Sequence, residues 1–299
     1  MAPPSVLIIG GSGAVGRPLV QEFVNNKEKF GRIGVLSDAR KVSKFSELPN
    51  QGVEVVVGSF LEAASYKGFD TVICVCGNAT MKLQPGMIDA AIAGGVRHFY
   101  PTEFGSDLSY GTNGKIRYFR DKIITREHLR DRAKEFPGFS YTLVLTGAFT
   151  DWTASDFNQI DLKKHTARPY GVPEALVTVT ALADVVKYTV QSVLLPLEEN
   201  QQRRELRLGA ETLTWKALME TLEEVQGVKY DTVWLDPRET EAKEEEARVK
   251  GDVEAEIMWS GIRLQATGVA HMEGPFDNAR FSLKPETVKE TFQRLHGKK

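Results

Sequence analysis

A short apolar run near the start of the chain ends in glycines that recur every third residue. Ser5-Val6-Leu7-Ile8-Ile9 is followed by Gly10-Gly11-Ser12-Gly13-Ala14-Val15-Gly16, where a helix-like segment starts. In a strand–turn–helix of this kind, the glycines permit a sharp turn, a close approach of phosphate to backbone, and tight packing of helix on strand. Free N–H groups at the helix N-terminus attract an anion. Residues 10–16 are therefore predicted to bind the pyrophosphate of a nicotinamide dinucleotide.

The pattern beyond this turn predicts a parallel sheet. Apolar runs at 6–9, 33–36, 53–57, 71–76, 98–100 and 141–145 alternate with helix-like segments at 16–27, 61–66, 85–94 and 115–135. Such alternation is typical of βαβ units, so we predict an α/β chain with a Rossmann-type doubly wound sheet.

After Thr146 the alternation breaks, and the segments that follow are less regular. Strands are predicted at 176–180, 204–208 and 232–235, and helices at 181–195 and 215–226. We therefore expect an NAD(P)-binding domain over residues 1–148. Residues 149–299 are expected to form mainly a smaller α+β lobe that binds substrate, with parts returning to the first domain.

Charge and hydropathy exclude several kinds of partner. The 299 residues carry a net charge of −2, so no basic excess is available to follow a nucleic-acid backbone. No apolar stretch approaches the roughly 20 residues of a membrane helix, and the first apolar run has no basic segment before it, as a signal peptide would. We expect a cytoplasmic monomer or homodimer whose partner is a small-molecule substrate.

The two cysteines are expected to be small core residues. Cys74 and Cys76 lie two apart in a predicted strand, which places them on one face without the geometry for a mutual disulfide. No other cysteine is present to complete a zinc site, so no metal is expected. This usage suits a reducing compartment.

The end of the second predicted strand leaves the choice of dinucleotide open. An acid at this place favours NAD, and a base accommodates the additional phosphate of NADP. Here Asp38 could bind two ribose hydroxyls, whereas Ser37, Arg40 and Lys41 could hold a phosphate. Each of these charges could also be merely solvated.

Three further stretches, together with the glycine turn, resemble a known family. They are 94–105, which contains Pro101-Thr102-Glu103-Phe104-Gly105, the segment around Lys122, and 209–215. They are similar to the NmrA-like, isoflavone-reductase-like family of atypical short-chain dehydrogenases. The resemblance implies an NADPH-dependent reductase of small, often aromatic metabolites, with a catalytic lysine that Lys122 matches. Ser37-Asp38 and Gly58-Ser59 depart from the family pattern on the adenine side, so NADH is not excluded.

Helical spacing independently singles out Lys122. Ligands of open α/β sheets lie beyond the carboxyl ends of the strands, and the helix after that edge carries Tyr118, Lys122, Thr125, Leu129 and Ala133 along one stripe. A desolvated amine there has a lowered pKa that suits proton transfer. Lys122 could also hold the nicotinamide ribose, or merely extend its ammonium to water. Tyr118 is a secondary catalytic candidate.

Four residues of the later chain are candidates for the substrate wall. Phe149 and Trp152 follow the last predicted strand of the sheet and could line an aromatic pocket, which Trp259 and His271 could close. A core or surface role would explain each of them equally well.

The residues thus predict an NAD(P)H-dependent reductase of a small aromatic or heterocyclic metabolite, with Lys122 as general acid or base. Two other classes remain open because a fold does not determine its chemistry. One is a non-redox cyclase or isomerase, and the other is an NADP-sensing regulator without turnover.

Overall fold

The computed structural model describes residues 2–111 and 113–297. Its strands are β1 (Val6–Ile9), β2 (Ile33–Ser37), β3 (Glu54–Val57), β4 (Thr71–Cys74), β5 (His98–Tyr100), β6 (Ser140–Leu145), β7 (Ala148–Phe149), β8 (Ile160–Asp161), β9 (Thr166–Ala167), β10 (Leu176–Thr180), β11 (Arg203–Arg207), β12 (Glu211–Thr214) and β13 (Asp231–Thr232). Its α-helices are α1 (Gly16–Asn25), α2 (Asn78–Met81), α3 (Gln84–Ala93), α4 (Arg120–Glu135), α5 (Thr150–Thr153), α6 (Leu182–Leu194), α7 (Trp215–Gln226), α8 (Arg238–Lys250), α9 (Val253–Ala266) and α10 (Val288–His296).

Seven strands of the described chain form a parallel sheet in the order β11-β6-β5-β4-β1-β2-β3. All four residues of β1 are at most 1% exposed, as expected for a strand covered on both faces. The order reverses between β1 and β4, and the crevice at such a reversal is where open α/β sheets bind ligands. The predicted doubly wound fold is confirmed.

Local boundaries differ from the sequence prediction where packing or turns interrupt the pattern. The helix predicted over 115–135 begins only at Arg120, after a 3-10 turn at Arg117–Phe119. The segment predicted as helix over 61–66 is a 3-10 turn at Ala63–Tyr66. The strand predicted over 232–235 is the short β13, whose partner is β9.

The described chain divides into two units, each with its own core. Unit 1 comprises the residues up to 103 together with 121–144 and 186–206, and it contains most of the large sheet. Unit 2 comprises 104–120, 145–185 and the residues from 207 onward. Unit 2 contains two small sheets, β12-β10-β7 and β13-β9-β8.

The strand β11 enters the large sheet through a buried arginine. Arg204 is 2% exposed, and its guanidinium donates hydrogen bonds to Thr142 Oγ1, Tyr100 Oη and the carbonyls of Ser192 and Leu195. Each bond from a charged donor is stronger than one between neutral groups. Arg204 therefore joins β11 to β6 and β5.

His98 on β5 belongs to the same polar network and is held neutral. Its Nδ1 lies 2.6 Å from Ser140 Oγ and its Nε2 lies 2.8 Å from Thr142 Oγ1. Since Ser140 Oγ donates to the carbonyl of Arg97, it accepts from Nδ1–H of His98, and the hydroxyl of Thr142 donates to Nε2. Burial, together with the smaller effect of the nearby Arg204 charge, lowers the pKa of His98 to about 3.

The neutral state of His98 makes the stability of the protein sensitive to acid. An unfolded histidine titrates near its ordinary pKa of 6.5. Below that pH, the unfolded chain therefore binds a proton that the folded chain does not bind. The free energy of unfolding should therefore fall as pH drops from about 6.5 toward 3, by up to about 1.4 kcal/mol per pH unit. Urea unfolding of the wild type and His98→Gln across this range measures the effect.

The comparison of His98→Gln with the wild type isolates the contribution of this one histidine to the acid dependence of stability. An acid dependence that is the same in His98→Gln and in the wild type would contradict the assignment.

Candidate active site

Two positions of the glycine turn after β1 accept only glycine. Gly10 has φ +91°, and a Cβ on it would lie 2.7 Å from the carbonyl oxygen of Val75. A Cβ on Gly16 would lie 2.1 Å from the carbonyl oxygen of Gly10. The first glycine thus makes the turn and the third lets α1 approach β1, as the spacing predicts.

The middle of the turn is open to solvent. Gly13 is exposed, and its N–H donates to Gly10 O at 2.9 Å, while its own carbonyl accepts from Arg17 N at 3.0 Å. The first turn of α1 follows at once, and the N–H groups of a first helical turn have no acceptor within the helix. This end of α1 carries the partial positive charge that stabilises an anion.

A cleft of about 190 Å³ opens at the carboxyl ends of β1, β2 and β4 in unit 1. The cleft is lined by Ile9, Gly10, Gly11, Ser12, Gly13, Leu36, Ser37, Asp38, Lys41, Phe45, Phe60, Val75, Cys76, Gly77 and Thr80. Most of the predicted cofactor-binding residues are in this lining. The other candidates, Ala14, Val15, Gly16, Arg40 and Lys122, lie outside it.

The two opposite charges at the end of β2 pair with each other. Asp38 caps the following 3-10 turn by accepting from Arg40 N at 2.8 Å, and its other oxygen accepts from the guanidinium at 3.0 Å. The hydrogen bond from the Arg40 side chain is the main cause that lowers the pKa of Asp38. The Arg40 side chain is 89% exposed, whereas Lys41 lines the cleft directly.

Lys122 is a buried ammonium on α4. It is 6% exposed, and Thr125, Leu129 and Ala133 are buried along the same helix face, as the stripe predicts. Its Nζ donates to the backbone carbonyl of Glu103. Burial lowers the pKa of Lys122, and the opposite charge of Glu103 partly counters this effect.

A buried ion pair that the sequence analysis did not predict supports this lysine. The carboxylate of Glu103 is 1% exposed and accepts two hydrogen bonds from Arg126, at 2.7 and 2.9 Å. Arg126 lies one helical turn after Lys122, so both side chains leave the same region of α4. The four-residue spacing of Lys122 and Arg126 was the available signal in the sequence, but it does not identify Glu103 as their partner.

A second network connects the loop after β5 to the cleft. Gln84 is fully buried and accepts from the N–H of Thr102 at 2.8 Å, and Thr102 Oγ1 donates to the carbonyl of Cys76 at 3.0 Å. Cys76 lines the cleft, and Thr102 is followed by Glu103, whose carbonyl accepts from Lys122 Nζ. These hydrogen bonds connect the loop that holds Lys122 to the wall of the cleft.

Tyr118 is not placed on the helix that carries Lys122, which corrects the stripe predicted for the pair. It lies in the 3-10 turn before α4, its N–H donates to Ser260 Oγ at 3.0 Å, and its ring packs on Gly261 of α9. Burial raises the pKa of its phenol, which keeps the proton on the oxygen at neutral pH.

The four aromatic candidates for the substrate wall lie in unit 2 and have different neighbours. Phe149 and Trp152 contact each other with ring centroids 4.7 Å apart, and Trp152 is 43% exposed. Trp259 instead packs against Tyr170, and His271 packs against Tyr110. Within the described residues, ring contacts thus join only the first two of the four, and a common pocket stays a prediction.

Two kinds of feature are absent from the residues that the structure describes. No group of three or more His, Cys, Asp or Glu residues stands close enough together there to hold a metal ion. Likewise, none of the helices described has the length and apolar character needed to span a bilayer.

Comparison with known proteins identifies relatives over nearly the whole chain. The NmrA-like family matches residues 4–244. The oxidoreductase aprR of Aspergillus flavus is 26% identical over 78% of each chain, and the phenylcoumaran benzylic ether reductase Pyrc5 of Pyrus communis is 27% identical over 94% of this chain and 90% of its own. The solved structure described as AtPrR2 with NADP+ and (+)pinoresinol shares the fold, with a TM-score of 0.77, 19% identity and coverage of 98% and 99%.

Gly16 allows a direct test of the turn. Gly16→Ala forces a Cβ to within 2.1 Å of backbone, so we expect a loss of roughly 2–3 kcal/mol in the free energy of unfolding, at the upper end for overpacking. Gly138→Ala is the matched control, because a Cβ there meets nothing within 4 Å. Chemical denaturation of the two variants gives the comparison, and equal stabilities would refute the close approach of α1.

Proposed function

The chain belongs to the NmrA-like family, and on that premise we propose that it is an NADPH-dependent reductase of a small aromatic or heterocyclic metabolite. The observation that carries the proposal is the buried ammonium of Lys122, held by the carbonyl of Glu103 in a loop that is hydrogen-bonded to the cleft wall. Relatives named as oxidoreductase and phenylcoumaran benzylic ether reductase support the same reaction class.

The cleft fits a dinucleotide on its own geometry. Gly13 leaves space where a larger residue would stand, and the N-terminus of α1 opens toward it, which suits a pyrophosphate. In the proposal, residues 10–16 hold the pyrophosphate, and Ser37, Asp38, Arg40 and Lys41 hold the adenine ribose and its phosphate. The choice of NADPH rests on the two cations and on the NADP+ named for AtPrR2.

The proposed role of Lys122 is proton transfer. A nicotinamide cofactor, when bound, supplies a hydride to an electrophilic carbon of a C=C or C=N bond. The charge that develops on the adjacent atom requires a proton, which the ammonium of Lys122 donates directly or through a water. The carbonyl of Glu103 holds Nζ in place, and Arg126 holds Glu103.

The substrate is proposed to lie against the aromatic residues of unit 2. Phe149 and Trp152 support this through their contact and the exposure of Trp152, whereas Trp259 and His271 are included on their position in the sequence alone. Tyr118 stays a second proton-transfer candidate, although its raised pKa favours Lys122. A cytoplasmic monomer or homodimer completes the proposal.

Replacing Lys122 tests the proposed reaction. Lys122→Ala should retain NADPH binding and lose at least a hundredfold in kcat, because a general acid contributes about 10²–10⁴-fold. The matched control is Lys134→Ala, which removes a 70% exposed lysine from the same helix. Substrate-dependent NADPH oxidation, screened first against aromatic metabolites, is the assay.

The pH profile adds a second readout for this lysine. Since a general acid must be protonated, kcat should fall as pH rises through the pKa of Lys122, which burial sets below 10.5. Unchanged turnover in Lys122→Ala would refute the role. Product formed without NADPH consumption would indicate a non-redox enzyme, and a protein partner without turnover would indicate a regulator.

The dinucleotide preference is tested at Arg40 and Lys41. Arg40→Ala and Lys41→Ala should each weaken NADPH about tenfold and leave NADH nearly unchanged, because only NADPH has the additional phosphate. Arg130→Ala, at a 59% exposed site on α4, is the control. Titration of cofactor fluorescence gives both dissociation constants, and an equal loss for NADPH and NADH would instead favour Asp38 as a ribose ligand for NAD.

A further inference from the structure

The only two cysteines of the chain lie in sulfur–sulfur contact at the wall of the cleft. Cys74 ends β4 and is fully buried, whereas Cys76 is partly accessible and lines the cleft. Their Sγ atoms are 3.4 Å apart, where Cys74 donates a hydrogen bond to Cys76. The two sulfurs therefore meet, as side chains on one face can; the expected lack of geometry for a disulfide is a separate prediction that this contact distance does not test.

We propose that Cys76 and Cys74 form an oxidation site, at which a hydroperoxide converts the dithiol to a disulfide that weakens dinucleotide binding in the cleft. The inference rests on the proposed function, because it takes the cleft as the dinucleotide site. It concerns residues that the reductase mechanism does not use.

The reaction balances with hydrogen peroxide as the oxidant. The thiolate of Cys76 attacks one peroxide oxygen, the O–O bond breaks, and a sulfenic acid and hydroxide result. The sulfur of Cys74 then attacks the sulfenic sulfur, the S–O bond breaks, and the departing hydroxide takes the Cys74 proton as water. Two thiols are oxidised, and one peroxide is reduced to two waters.

The environments of the two sulfurs define their order of reaction. Cys76 is partly accessible and lines the cleft, so a peroxide that enters the cleft reaches its sulfur first. The hydrogen bond to Cys76 and the burial of its sulfur raise the pKa of Cys74, which therefore remains a thiol until the sulfenic acid forms beside it. Cys76 is the residue that peroxide attacks, and Cys74 is the residue that resolves it.

The backbone between the cysteines transmits the change to the glycine turn. A Cβ on Gly10 would lie 2.7 Å from Val75 O and 3.1 Å from Cys76 N, so this segment is already in tight contact with the turn. Thr102 also holds the carbonyl of Cys76. Drawing the sulfurs from 3.4 Å to bonding distance shifts Cys76 within this packing and displaces the surface that would hold the pyrophosphate.

Intact mass and cofactor binding test the proposal on the full chain. The protein, treated with a small excess of hydrogen peroxide, should lose the mass of two hydrogen atoms and bind NADP+ at least tenfold more weakly. Dithiothreitol should restore both. Prior saturation with NADP+ should slow the loss of mass at least tenfold, because the occupied cleft shields Cys76.

Two variants separate the steps. In Cys74→Ala, the sulfenic acid has no resolving thiol, so dimedone should label Cys76 and no loss of two hydrogens should appear. In Cys76→Ala, peroxide should leave the mass unchanged. Peroxide-treated wild type without the mass loss, or a disulfide that leaves NADP+ affinity unchanged, would overturn the proposal. A reduced protein that fails to bind NADP+ would contradict the proposed cofactor instead. In that case the loss of two hydrogen atoms would still show whether the disulfide forms.

Discussion

The contact between the backbone after β4 and the Cα of Gly10 is the constraint on which the cleft depends. With the Val75 carbonyl 2.7 Å from the place of a Cβ, this position accepts glycine and no larger residue. The contact joins the carboxyl ends of β1 and β4 at the reversal of strand order. Because α1 begins six residues later, its N-terminus opens at the same edge. The steric requirement for glycine at position 10 therefore fixes both the shape of the cleft floor and the place where the helix N-terminus faces an anion.

Buried charged side chains around Lys122 fix the positions of their neighbours more than they stabilise the fold. Breaking a buried ion pair is costly, whereas the intact pair adds little net stability, so such pairs define an arrangement more than they strengthen a fold. The pair of Glu103 and Arg126 fixes the loop whose carbonyl receives the lysine Nζ. The ammonium is consequently both desolvated and oriented, which are the two properties that a proton donor needs.

Local patterns in the sequence predicted most of the sheet and the buried face of α4. An uninterrupted apolar run defines β1, and helical spacing placed Lys122, Thr125 and Leu129 on one buried side. The same spacing misplaced Tyr118, because its turn packs on Ser260, 142 residues further along the chain. Period and composition do not reveal such distant partners.

The site shows the same division between local and distant information. The glycine turn could be predicted from spacing because its shape depends on backbone sterics within a few residues. The pairing of Asp38 with Arg40 could not, since two neighbouring charges are equally compatible with separate ligands. Strand alternation placed Cys74 and Cys76 on one face, but the distance between their sulfurs depends on how the chain leaves β4.

The late position of β11 has a consequence for synthesis of the chain. Residues 186–206 belong to unit 1 but follow a long stretch of unit 2 in the chain. The strand β11 therefore leaves the ribosome well after β1 to β6. Until then Tyr100 and Thr142 lack the guanidinium of Arg204, and an edge of the sheet remains unpaired. During synthesis, a nearly complete sheet therefore exposes an edge strand with unpaired backbone N–H and C=O groups. Chaperone binding is expected to concentrate at this edge.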